Sequence, residues 1–171
     1  MNDPTIFDNL KVAFENYVYD LDNINGEVSV SNRKDKMEMA SMSRAFSLQF
    51  TLAGQQDVTA EIFLAASLDD LAAEIMETSG ENPGCTLLVR FYMEVNDVQT
   101  DCGLIEQLMQ SIWDQRPLTQ TISFVYSPDQ NKFMNKIEVG FNRKINEGHI
   151  QDIPALIDHV LETLAQLNEM N

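Results

Sequence analysis

The stretch AFSLQFTLAGQQDVTAEIFLA, residues 45–65, alternates apolar and polar positions twice. Phe46, Leu48, Phe50 and Leu52 share one face, Val58, Ala60, Ile62 and Leu64 share another, and AGQQD lies between the two runs. Alternation with a period of two, broken by a glycine-containing turn, reads as a β-hairpin buried on one side. A half-buried hairpin needs an apolar layer against it, so the next question is which flanking segments are amphipathic helices.

Three of the flanking segments and the C-terminus qualify. NDPTIFDNLKVAFENYVYDLDN at the start reads as a helix, with Asp3 as its cap, Pro4 in its first turn, and Ile6, Leu10, Phe14, Tyr17, Val18 and Leu21 recurring at three and four. After the hairpin, SLDDLAAEIMETSG pairs Ser67 with Asp70 in capping-box spacing, carries Leu68, Leu71, Ala72, Ile75 and Met76 as a stripe, and is expected to stop at Gly80. CTLLVRFYMEV then alternates as a strand, with Leu87, Val89, Phe91, Met93 and Val95 on one side. TDCGLIEQLMQSIWDQRP returns to helical spacing through Leu104, Ile105, Leu108, Met109, Ile112 and Trp113. TISFVYSPDQNKFMNKIEVGF is a second hairpin, turning around Ser127 to Asn131, and the chain closes on a helix striped by Ile153, Leu156, Ile157, Val160, Leu161, Leu164 and Leu167.

One segment resists this reading. Residues 32–44, NRKDKMEMASMSR, hold four of the eleven basic side chains and the methionines Met37, Met39 and Met42 without either periodicity, which predicts a mobile or partner-dependent loop. The order of elements is neither strict strand-helix alternation nor a bundle. It predicts an α+β fold: one domain over residues 1–171, a two-layer sandwich of a mostly antiparallel sheet of five or six strands packed with four helices.

Composition narrows function. Twenty-seven acidic against eleven basic side chains give a formal charge of −16, which repels nucleic-acid phosphates and anionic lipid surfaces. No stretch approaches the roughly 20 apolar residues that cross a bilayer, and MNDPTIFDNL lacks the basic start and apolar core of a signal peptide, so a cytoplasmic protein is expected. Cys85 and Cys102 fit no metal-knuckle or redox spacing and read as reduced thiols. Charge is uneven: residues 57–114 carry twelve acids against one base, Arg90. Asp69, Asp70, Glu74 and Glu77 on one helix, with Asp101, Glu106 and Asp114 on the next, either form two solvated faces or present a negative surface to a basic partner.

Catalytic patterns are missing. EVNDVQTD, residues 94–101, gathers Glu94, Asp97 and Asp101, but these stand where the following helix needs caps, and the spacing is wrong for a calcium loop, so neither a metal nor a cofactor is expected. His149 reads as a loop residue and His159 as a surface ion-pair partner of Asp158 and Glu162. No nucleophile elbow, zinc-protease helix, P-loop or dinucleotide glycine pattern occurs, which points away from an enzyme. The expected class is a protein that binds a protein client, chaperone-like or adaptor-like, using Met37, Met39 and Met42 beside the acidic side chains; an immunity-type inhibitor of a basic toxin is one form of it. The rival expectation is a small-molecule or sensory domain with a pocket lined by Phe46, Phe91, Tyr92 and Trp113.

The layout of an N-terminal helix, strands, a helix, a hairpin and a C-terminal helix in a small acidic chain resembles that of type III secretion chaperones and the related YbjN-like proteins. The resemblance is one of element order, and the strand and helix at 85–114 depart from the simplest chaperone pattern. It carries over no functional residue. It implies a homodimer that binds an extended or partly folded client along apolar grooves.

Overall fold

The computed structural model describes residues 5–77 and 82–170. Four helices, α1 (Ile6–Asn23), α2 (Leu68–Met76), α3 (Val98–Ile112) and α4 (Ile153–Glu169), accompany six strands: β1 (Val28–Glu38), β2 (Ser43–Leu52), β3 (Gln55–Ala66), β4 (Thr86–Val95), β5 (Leu118–Ser123) and β6 (Phe133–Val139). A short 3-10 helix, Glu147–Asp152, leads into α4. All six strands join one antiparallel sheet in the order β1-β2-β3-β4-β6-β5, which is the expected α+β sandwich. None of the helices is long and apolar enough to cross a membrane among the described residues.

The deciding hairpin is β2–β3, paired from Arg44 opposite Ala66 to Leu52 opposite Gln55. Phe46, Leu48 and Phe50 of β2 and Val58, Ala60, Ile62 and Leu64 of β3 are all buried, as are Leu87, Val89, Phe91, Met93 and Val95 of β4. These alternate positions form one continuous core with Leu10, Phe14 and Val18 of α1, Ile105 and Met109 of α3, and Ile157, Val160, Leu164 and Leu167 of α4. Period two on the strands and three-to-four on the helices thus meet on one side of the sheet.

The opposite face is built differently. Glu61 of β3 is only 5% exposed although its alternate-position neighbours are polar or half-buried. Its carboxylate accepts from Gln49 Nε2 (2.7 Å), Tyr92 Oη (2.9 Å) and Arg90 (3.2 Å), while Arg90 also reaches Glu138 (2.8 Å) and lies over the Phe63 ring at 4.3 Å. Three hydrogen bonds, one from a guanidinium, thereby stand in for water that burial strips from this carboxylate.

Two expectations about the chain's first third are corrected. The segment 32–44 is no loop: residues 32–38 continue β1, pairing with 43–49 of β2 after a register shift near Ser31. Its side chains are exposed on both faces, so no apolar alternation could mark it. Ions hold it instead, through Lys11–Asp35 (2.9 Å), Arg33–Glu15 (2.8 Å) and an Arg44 that bridges Asp8 (2.9 Å) and Asp35 (3.0 Å). The α1 cap is Thr5, whose hydroxyl accepts from the Asp8 backbone N–H. Asp3 and Pro4, expected to start this helix, lie outside the described residues, as does Gly80, expected to stop α2.

Candidate interaction surface

Helix α2 is inside out. Its capping box is complete, with Ser67 Oγ accepting from the Asp70 N–H (3.1 Å) and Asp70 Oδ2 accepting from the Ser67 N–H (2.9 Å). Its only buried residue, however, is the acid Asp70, at 8% exposure. Three of the five stripe residues point outward: Leu68 is 49%, Ile75 71% and Met76 72% exposed, while Leu71 and Ala72 are half-buried. An amphipathic helix on a globular core ordinarily turns its apolar face inward.

Acids fix this orientation. Asp70 forms an ion pair with Lys144, which follows β6, and Glu74 Oε1 accepts from the Ile6 N–H (2.8 Å) at the first turn of α1. A carboxylate on an otherwise unpartnered helix N-terminal N–H gains both a hydrogen bond and the favourable end of the helix dipole. With Asp70 and Glu74 turned toward the body of the protein, Leu71 lines the groove beside the helix and Ala72 is half-buried, while Leu68, Ile75 and Met76 are left exposed. Glu77 then closes the helix in the left-handed region, at φ 49°.

Beside α2 runs a groove of about 160 Å³ between the start of α1, the end of the β1–β2 hairpin and α2 itself, floored by Ile6, Phe7, Leu71 and Cys85. Met37 and Met42 line it from the hairpin, and Met42 takes φ 57° at the turn. Met37, Met39 and Met42 are all exposed. The methionines expected to lie on a loop are therefore presented from the end of the β1–β2 hairpin, Met37 on β1 and Met39 and Met42 in the turn, next to the exposed residues of α2. Arg44 sits over Phe7 at 4.5 Å and ties the hairpin to α1. Burial works to raise the Asp8 and Asp35 carboxyls, but Thr5 and Arg44 beside Asp8, and Lys11 and Arg44 beside Asp35, outweigh it and hold both below the ordinary range.

The expected acidic residues divide. Asp69, Asp70, Glu74 and Glu77 belong to α2, and Asp70 and Glu74 line the groove while Asp69 and Glu77 form no ion pair among the described residues. Asp101, Glu106 and Asp114 are elsewhere: α3 packs on α4, β4 and β5, whereas α2 packs on β3. Asp97 caps α3 by accepting from the Thr100 N–H (3.1 Å), and Asp101 Oδ2 accepts from the N–H groups of Asn96 (2.9 Å) and Asp97 (3.2 Å). Capping accounts for the 94–101 cluster, and among the described residues no group of three or more His, Cys, Asp or Glu side chains is placed to hold a metal.

The expected aromatic pocket is not one place. Phe46 and Phe91 are fully buried core residues, and Tyr92 is on the reverse face, its hydroxyl donating to Glu61 and pushed up to about 12 by burial and that carboxylate. Trp113 alone of the four lines a cavity. Among the described residues His159 forms no ion pair: its Nδ1 bonds to the Ala155 carbonyl (2.8 Å) and its ring lies 5.6 Å from Trp113. Neither thiol is set up as a nucleophile, because burial, with Glu74 and Asp8, pushes Cys85 up to about 12, and burial and Asp101 raise Cys102.

Comparison with known proteins adds no relative: no family model matches the chain, nor does any curated protein or any solved structure.

Proposed function

We propose that the protein is a non-enzymatic interaction protein, chaperone-like or adaptor-like, that binds an apolar, basic segment of a protein partner at the α2–methionine corner. The inverted α2 carries this reading: a helix that buries an acid and exposes Leu68, Ile75 and Met76 keeps apolar area in water that a partner can remove. Methionine suits the purpose, because its unbranched thioether adapts to differing client side chains. Asp69 and Glu77 on the same helix select for lysine or arginine in the client. The resemblance of its element order to that of type III secretion chaperones, from which the strand and helix at 85–114 depart, points to the same class of activity. An immunity-type inhibitor of a basic toxin is the form of this reading in which the client is folded.

The test uses a defined client. A short fluorescein-labelled amphipathic peptide of leucine and lysine is titrated with the protein and followed by anisotropy, alongside a leucine–glutamate peptide of the same pattern. Saturable binding of the lysine peptide, weakened but not abolished by salt, is expected, since apolar contacts survive screening and charge contacts do not. Equal binding of both peptides, or of neither, would remove the basis for the proposal.

A further inference from the structure

A second, larger cavity, about 480 Å³, lies away from the α2 corner between α1, the end of α3 and the start of α4. Its volume is in the range of small-ligand sites. Core residues Leu10, Phe14, Leu87, Ile145 and Ile153 reach it from below, so a ligand entering it meets apolar surface. Trp113 and Phe141 stand edge to face at 6.4 Å in its wall, and Trp113 is fixed there by donating its indole N–H to Thr163 Oγ1 at 2.9 Å.

The rim is unlike the rest of this acidic molecule. It gathers Arg116 and Arg143, two of five arginines, and both histidines of the chain. Arg33, Arg44 and Arg90 each hold a carboxylate, whereas Arg116 and Arg143 form no ion pair among the described residues, although Asp114 and Asp152 line the same rim. Arg116 instead stacks over the Phe141 ring at 5.0 Å. His149 accepts the Asn146 backbone N–H at Nδ1 (2.9 Å), which leaves its Nε2 as a hydrogen-bond donor. Two guanidinium groups that pair with no carboxylate among the described residues, on the rim of an apolar, aromatic-walled cavity, match a ligand with one carboxylate and an apolar body.

We propose that this cavity is a binding site for an amphipathic organic monocarboxylate, its apolar body against Trp113 and the core residues and its carboxylate on Arg116 and Arg143. The site is independent of the α2 corner, so either can fail without the other.

Trp113 is the only tryptophan and lines the cavity, so its selectively excited emission reports occupancy directly. The full chain is titrated with decanoate, decanol and decylammonium, which share an apolar chain and differ in headgroup charge. Saturable change with decanoate is expected, at an affinity at least tenfold above that of either other compound. Arg116→Gln with Arg143→Gln is expected to weaken decanoate tenfold or more while leaving decanol unchanged. Arg143→Gln alone, which disturbs no aromatic stacking, is the second variant should the double variant lose its native circular dichroism, and it is expected to weaken decanoate as well. No saturable change with decanoate, a preference for decanol or decylammonium, or variants that bind decanoate as tightly as the parent would overturn the proposal.

Discussion

Replacing Ile75 and Met76 together by glutamine separates binding from folding. Both side chains are more than 70% exposed, so the folded state gains little from them, and glutamine has helix propensity near that of methionine and above that of isoleucine. The stability of the double variant is expected to stay within about 0.5 kcal/mol of the parent in urea titration. Binding should respond very differently. Full burial of an Ile or Met side chain is worth roughly 1.5–3 kcal/mol, and about 70% of that remains to be gained at each position, or roughly 2–4 kcal/mol for the pair. At 1.4 kcal/mol per tenfold, affinity for the leucine–lysine peptide should fall about 30- to 700-fold in the anisotropy assay. An affinity within a factor of three of the parent would refute the assignment of this stripe as the contact surface. A loss of more than about 2 kcal/mol in stability would refute the orientation of α2 itself.

Three further outcomes follow from particular side chains. Thr163→Val strands the buried indole N–H of Trp113 and should cost about 1–3 kcal/mol of unfolding free energy, whereas a change below about 0.5 kcal/mol would show that the hydrogen bond to Thr163 is dispensable. Asp8 and Asp35 are held below their ordinary value of 3.8, so the stability they contribute is complete above that pH and is lost as pH falls through their lowered native values; Asp8→Asn with Asp35→Asn should flatten the acid limb of the urea midpoint against pH, and an unchanged limb would contradict it. Cys85, pushed up to about 12, should stay unreactive toward a disulfide reagent at mildly alkaline pH until the protein unfolds, and rapid native labelling at that position, located by mass spectrometry, would show that the thiol is accessible.

Sequence periodicity reached those parts of the fold where burial alternates. Phe46 to Leu64 declared the central hairpin and the stripe from Ile153 to Leu167 declared α4, because in both the pattern of apolar residues is the pattern of contact with one core, whereas Ser67 and Asp70 declared the start of α2 through local capping alone. Residues 32–38 were hidden since both faces of an edge strand can be wet, and its ties to α1 run through Asp8, Lys11 and Glu15, far off in sequence. The orientation of α2 was hidden for a related reason. An apolar stripe has the same spacing whether it meets the core or water, and what turns α2 around, Lys144 and the Ile6 N–H, is 74 and 68 residues away. Methionines 37, 39 and 42 were visible as an unusual group, but only the strand position of Met37 and the turn at Met42 place two of them on a groove with Leu71. Phe46, Phe91, Tyr92 and Trp113 illustrate the reverse error: aromatic residues alone do not distinguish a core, a sheet face and a cavity wall.

Methionine methyl NMR tests the central claim most directly, because the chain's nine methionines include Met37 and Met42 on the groove, Met76 on α2, and Met93 and Met109 in the core. With ¹³C-methyl methionine label and the leucine–lysine peptide added to saturation, the signals of Met37, Met42 and Met76 should shift while those of the buried Met93 and Met109 stay in place. Shifts at Met93 and Met109 with Met37, Met42 and Met76 unmoved would place the client somewhere other than the α2 corner and contradict the account.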